Sequence, residues 1–272
     1  MTLVSRALLL CVPLLLFAVA GALYQPAPPA DEEADIPLGS LPPLPEWVAE
    51  GMPDLSVYRD TTERKAAFFS YLYPRIVLAN NRILQERQYL MLLADQDELS
   101  PTELTWLERQ ASRLRVTAAN GSQAQFEALA HKLDVIPPSL ILAQAANESA
   151  WGTSRFAREG NNLFGQWCFS RGCGLVPLSR AAGANHEVAS FPSPYYSVRS
   201  YIQNLNRHPA YAGVREVRAA ARAAGEPLSG LAMAAGLLGY SERGEDYIKE
   251  IRAMIRYNNL EFFDREFRAQ LD

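Results

Sequence analysis

The chain has 272 residues, 49% of them hydrophobic, with a net charge of -4 and a pI near 5.6. That is enough apolar material to build one main catalytic unit with accessory helices. No run of Lys or Arg is long enough to follow a phosphate backbone, which excludes nucleic acid as an expected partner.

At the N-terminus Arg6 precedes an apolar run over residues 7–24 that closes on the small residues Ala18, Ala20 and Ala22. Residues 1–23 therefore read as an export signal peptide or as an uncleaved anchor, with the run slightly short for a comfortable spanning helix. Either alternative predicts a periplasmic or cell-envelope protein, in the second case tethered to the inner membrane. Cys11 lies in the middle of the run, so lipid attachment is not expected. Residues 24–59 shift to proline (26, 28, 29, 37, 42, 43 and 45) mixed with Asp31, Glu32, Glu33 and Asp35. This composition predicts an extended linker, at about 3.1 Å per residue where proline dominates.

Residues 60–134 read as an N-terminal helical segment. Phe68, Leu72, Ile76, Leu84, Leu90 and Leu93 recur at roughly helical spacing over residues 61–95, with Pro74 as an expected kink. Ser100, Pro101 and Glu103 combine an N-cap, a proline at the first helical position and a capping-box acid. Ser122 and Gln125 repeat the capping logic for a third helix ending near Leu133. The catalytic domain is expected over residues 135–260. It opens with Pro137 and Pro138 and a run of Leu, Ile and Ala over residues 139–150, read as a buried helix with Glu148 near its end.

From residue 163 to 191 helical periodicity is lost and Gly165, Gly172, Gly174 and Gly183 appear, which predicts a small β-lobe of hairpins. Cys168 and Cys173 in this lobe either pair in an oxidising compartment or stay as two buried thiols. One C-x4-C with scattered His131, His186 and His208 lacks the paired spacing of a metal site, so zinc is not expected. Helices resume at Ser193 and Pro194 and run to about Asn258, followed by a C-terminal tail over residues 261–272. The fold class is mostly α (α+β): a helical body and a small β-lobe with a cleft between them for a polymeric substrate.

Ile141, Gln144, Ala145 and Glu148 share one face of the predicted buried helix, so a carboxylate projects from small and apolar neighbours. Desolvation and the C-terminal end of the helix dipole both favour its protonated form, and a protonated carboxyl suits a departing glycosidic oxygen. The competing reading is a Glu at a helix end paired with Arg155 or Arg158.

Residues 146–156, A-N-E-S-A-W-G-T-S-R-F, followed by N-N-L-F-G at 161–165, closely resemble the bacterial glucosaminidase family of peptidoglycan hydrolases. The stretch 161–177, N-N-L-F-G-Q-W-C-F-S-R-G-C-G-L-V-P, is similar to the Bax-like branch of that family, and the resemblance spans about residues 137–259. It implies a lysozyme-like fold, no cofactor, peptidoglycan glycan strands as substrate and Glu148 as the catalytic acid. In Y-S-E-R-G-E-D-Y, Tyr240 matches the family's functional tyrosine, suited to orienting water or an N-acetyl group, and Tyr247 matches the aromatic that follows it. The family's second carboxylate has no counterpart in residues 177–183, and the nearest acid is Glu187, which is a general base if it faces the cleft and a plain hairpin residue if it does not.

Trp151, Asn162, Phe164, Trp167 and Tyr195 lie in or beside these motifs as candidate substrate-binding residues, with Tyr196 next to them; each aromatic can equally be core, and for Trp151 the favoured role is packing. Gly152 and Gly165 are expected at tight turns. Three rival functions remain: a lytic transglycosylase using the same Glu148, a Cys/His amidase built on Cys168 or Cys173 with His186, and a non-catalytic wall-binding protein.

Overall fold

The computed structural model describes residues 41–178, 180 and 183–271. The expected export segment and residues 24–40 of the linker lie outside the described residues. Those described fall within the unit Asp35–Asp272. In chain order the helices are α1 (Thr61–Ala94), α2 (Pro101–Leu114), α3 (Gln123–Lys132), α4 (Pro138–Glu148), α5 (Arg155–Gly160), α6 (Pro194–Arg207), α7 (Ala212–Ala224), α8 (Gly230–Met233), α9 (Glu245–Tyr257) and α10 (Glu261–Ala269). Three short strands, β1 (Trp167–Cys168), β2 (Gly174–Leu175) and β3 (Glu187–Ala189), separate α5 from α6. The class is mostly α with a minor antiparallel sheet, as expected. Among the described residues no helix is long and apolar enough to cross a membrane.

Helix α4 is the centre of the packing. Every residue from Pro138 to Ala146 is buried, because Leu, Ile and Ala on all sides leave no face suited to water. Helices α1, α8, α9 and α10 surround it. At Gly230 on α8, an added Cβ would lie 2.1 Å from the Ser139 hydroxyl and 2.7 Å from the Leu140 backbone nitrogen, so only glycine permits that approach.

The first turn of α4 has no local side-chain cap, since Pro137 occupies the N-cap. Its acceptor comes from α10: Asp264 takes hydrogen bonds from the Ser139 backbone N–H (2.8 Å) and hydroxyl (2.6 Å). Residues 261–269 are therefore not a tail. This segment forms an amphipathic helix with Phe267 and Asp264 buried, and Asp264 supplies the acceptor that the start of α4 lacks.

The linker is shorter than its composition predicts. Val48 and Leu55 are buried, with Leu44, Trp47 and Met52 packed against the same core. Tyr71 on α1 donates to the carbonyl of Gly51 (2.7 Å), and the Arg75 guanidinium stacks 3.6 Å from the Tyr71 ring while donating to the Trp47 carbonyl (3.2 Å). The apolar residues between the prolines strap residues 44–57 to α1.

Helix α1 is continuous across Pro74 and crosses two cores. Phe68, Leu72 and Ile76 join α4, α6 and α9, whereas Leu90 and Leu93 join Trp106, Leu107 and Leu114 of α2 and Phe126 and Leu129 of α3. The N-terminal helices and the catalytic segment thus share α1 rather than meeting at residue 134. The Ser100 capping box forms as predicted, as does the Ser122 cap.

Between α3 and α4, buried Asp134 accepts from Arg222 (2.9 and 3.1 Å) with the Arg87 and Arg218 guanidiniums nearby (3.8 and 4.0 Å). Burial opposes its ionisation, but the Arg222 hydrogen bonds and the flanking cations outweigh it and hold the carboxyl below its usual range. Asp134→Asn should cost about 3–5 kcal/mol, because it leaves buried guanidinium charge uncompensated. Urea unfolding near neutral pH should show this loss, and the difference should begin to shrink below about pH 4, where the unfolded chain's carboxyl takes up its proton, and disappear only in the lower range where the folded-state carboxyl is protonated too.

Candidate active site

Helix α4 stops at Glu148 because the next residues build a tight reversal. Ser149 donates to the Ala145 carbonyl (2.5 Å) and accepts from the Gly152 N–H (2.8 Å), while the Trp151 N–H returns to the Ala146 carbonyl (2.9 Å). Ala150, Trp151 and Gly152 all have positive φ, at 49°, 60° and 75°. The two non-glycine residues cost about 1–2 kcal/mol each in this conformation. Packing offsets that cost: the Trp151 ring sits edge-on to Phe68 (6.0 Å) and Phe69 (5.5 Å), with the Lys65 ammonium 4.8 Å from its centroid. A Cβ at Gly152 would lie 2.6 Å from Met52 and 3.0 Å from Leu55. In E-S-A-W-G the serine, tryptophan and glycine are thus used by the turn, and the glutamate alone keeps a half-buried functional group at the surface.

Glu148 receives a hydrogen bond on Oε1 from the Tyr247 hydroxyl of α9 at 2.7 Å, and a longer one from Asn147 at 3.3 Å. Among the described residues Oε2 has no hydrogen-bond partner. Burial raises the Tyr247 phenol far above its ordinary range and the Glu148 charge adds to this, so Tyr247 keeps its proton. Behind it, buried Gln144 donates from Nε2 to the Tyr247 oxygen (2.9 Å) and accepts from Tyr201 of α6 on Oε1.

Tyr240 stacks on Tyr247 with centroids 5.4 Å apart and planes 10° from parallel, and its hydroxyl donates to the Phe164 carbonyl (3.2 Å). Burial holds its phenol protonated. Phe164 in turn stacks on Tyr201 at 4.0 Å. The N-N-L-F-G loop is therefore keyed to the same tyrosine cluster that holds Glu148.

Several predicted site residues are structural. Phe164 and Tyr195 are buried in the core. Asn162 is buried with its whole amide in use: Nδ2 donates to the carbonyls of Gln166 and Ala189, and Oδ1 accepts from the N–H groups of Phe164 and Gln166. All three side chains are buried, away from solvent. Trp151 packs on α1, as favoured above. Trp167 differs, since it is 60% exposed and stacked on His186 (4.4 Å), leaving an aromatic face for a ligand.

Glu187 is also a correction. It lies on β3, the central strand of the order β1-β3-β2, opposite Cys168. Its two oxygens accept the backbone N–H groups of Gly172 (3.1 Å) and Gly174 (2.9 Å), which lowers the carboxyl below its usual range and makes it a weaker base. It braces the turn that the Cys168–Cys173 disulfide closes. The oxidised cysteines remove the thiol nucleophile of the amidase alternative. Cys168, Cys173 and Glu187 are close enough to suggest a metal site. However, the disulfide offers no thiolate and the carboxylate is already engaged, so the donor set does not fit a metal. Arg155 pairs with Glu159 (3.7 Å) and the Val176 carbonyl, leaving Glu148 to its tyrosine.

Sequence reasoning missed Tyr247 as the direct partner of Glu148, and with it Tyr201. The available signal was Gln144: a lone amide in an otherwise apolar helix, one turn before the acid, must be hydrogen-bonded.

A family model described as mannosyl-glycoprotein endo-beta-N-acetylglucosaminidase matches residues 123–260. The chain belongs to this glucosaminidase family and carries a glycosidase domain, which begins earlier than the motifs alone suggest and takes in α3. It is 36% identical over 211 residues to Protein bax of Escherichia coli (strain K12), covering 77% of this chain and 75% of that protein. No solved structure gives a significant match.

Tyr247→Phe removes the one side-chain donor held at 2.7 Å from Glu148 and should lower turnover at least tenfold, about 1.4 kcal/mol in barrier. Tyr240→Phe, which loses a bond to a backbone carbonyl, should cost less. Steady-state rates of the two variants check the order.

Proposed function

We propose that the chain is an exported peptidoglycan hydrolase that cleaves the glycan backbone at N-acetylglucosaminyl bonds, with Glu148 as general acid. The observation that carries this reading is the half-buried Glu148, fixed on one oxygen by Tyr247 and unoccupied on the other. The proton on the free oxygen passes to the glycosidic oxygen as the C1–O bond breaks, and the Tyr247 donor stabilises the carboxylate that remains. Tyr240 keeps lone pairs free while donating to Phe164, so it can accept from the acetamido N–H of the sugar. Exposed Trp167 supplies an aromatic face for a sugar ring. With the export segment at residues 1–23, the site of action is the periplasm or cell envelope.

With Glu187 committed to its turn, the substrate's own acetamido oxygen attacks C1 as the glycosidic bond breaks, and water then opens the cyclic intermediate, giving its proton to the Glu148 carboxylate. The same feature favours a second reading, a lytic transglycosylase, in which a sugar hydroxyl attacks intramolecularly and no base for water is required.

Product ends separate the two. Purified glycan strands, digested, reduced with borohydride and analysed by mass spectrometry, should carry reduced N-acetylglucosamine ends. Predominant 1,6-anhydromuramic ends would replace hydrolysis by the transglycosylase reading, and intact strands that still bind the protein would leave a wall-binding role.

A further inference from the structure

Gln144 sits one helical turn before Glu148 and is fully buried, so it cannot touch a substrate. What it does is set a direction. A phenol has one proton, and an amide has donors at one end and an acceptor at the other. Tyr201 gives its proton to Gln144 Oε1, and Gln144 gives an N–H to the Tyr247 oxygen. The proton of Tyr247 is then left for Oε1 of Glu148. The order Tyr201, Gln144, Tyr247, Glu148 runs across α6, α4 and α9 without a break.

We infer that Gln144, oriented by Tyr201, is a positioning residue that commits the Tyr247 proton to Oε1 of Glu148 and so confines the transferable proton of the acid to Oε2. The inference rests on Glu148 being the acid. An ionised carboxylate only accepts, so in that state the direction of the chain is forced. If the direction is kept when Glu148 takes up a proton, Oε1 is already receiving one from Tyr247 and the new proton goes to Oε2, the oxygen without a protein partner. Reversal means turning a fully buried amide and breaking both of its hydrogen bonds. In the reversed chain Tyr247 would accept from a proton on Oε1, which faces the tyrosine rather than the substrate.

The titratable groups coupled to Glu148 come from each packed element: Tyr201 on α6, Tyr240 in the segment before α9 and Tyr247 on α9. Burial keeps all three phenols neutral far beyond neutral pH. These phenols therefore keep their charge constant across the pH range of the test.

The test is the pH dependence of kcat and kcat/KM on purified glycan strands, followed by chromatographic release of shortened strands. Wild type, Gln144→Met, Tyr201→Phe and Glu148→Gln are compared, with melting temperatures for each. Gln144→Met fills the same volume but frees the Tyr247 oxygen to accept from a protonated Glu148. The protonated form gains a partner, activity is lost at higher pH, and the alkaline limb should move up by about one pH unit. A one-unit shift puts about nine-tenths of the protonated form on Oε1, so kcat should fall about tenfold with KM within about twofold. Tyr201→Phe keeps the ring stacked on Phe164 and should move both readouts the same way by less.

Lower kcat with an unshifted alkaline limb in both variants would overturn the inference in favour of a packing role. If Gln144→Met fails to fold, Tyr201→Phe decides alone, with a shifted limb supporting and an unshifted limb refuting. An inactive Glu148→Gln beside unshifted limbs sinks only the positioning role. An active Glu148→Gln sinks both that role and the acid assignment beneath it.

Discussion

The hydrogen bond from Tyr247 to Glu148 is the contact on which the site depends. It spans two helices whose order in the chain gives no hint of the meeting, the end of α4 and the start of α9. For it to form, α4 must be buried along its length yet release its last residue to the surface. An apolar, alanine-rich stretch provides the first condition, and the reversal over Ser149 to Gly152 provides the second.

That reversal is strained, and the elements that hold it lie mostly outside the matched family region. Phe68, Phe69 and Lys65 of α1 receive the Trp151 ring, and Met52 and Leu55 of the N-terminal strap close over Gly152. Met52 also donates its backbone N–H to Asn161 (3.3 Å), at the head of the N-N-L-F-G loop. At the other end of α4, Asp264 of α10 supplies the missing cap. The segments before and after the family match therefore act as a frame around α4. A chain trimmed to the matched residues would lose both supports.

Much of this was legible in the sequence. Helix starts with local chemistry, such as Ser100 with Glu103 and Ser122 with Gln125, form as their side chains dictate, because a capping box needs only four residues. Glycine at 152 was readable for the same reason, since its conformation is local. Roles that depend on distant partners were not. Asn162 and Phe164 carry a motif and look like ligand contacts, but one is consumed by four hydrogen bonds to the backbone and the other by stacking on Tyr201. Glu187 has the right residue type for a base, and only the fold reveals that two glycine N–H groups already occupy it. Composition misjudged the strap for a related reason: prolines dominated the window, while five apolar side chains decided the packing.

The central claim is that Glu148 supplies a proton and contributes little to the fold. Replacing its carboxyl with an amide of the same shape isolates the proton. Glu148→Gln, compared with wild type for turnover on purified peptidoglycan and for melting temperature, should lose activity by several orders of magnitude while unfolding within a few degrees of wild type. Turnover like that of the wild type from a well-folded Glu148→Gln protein would contradict the account.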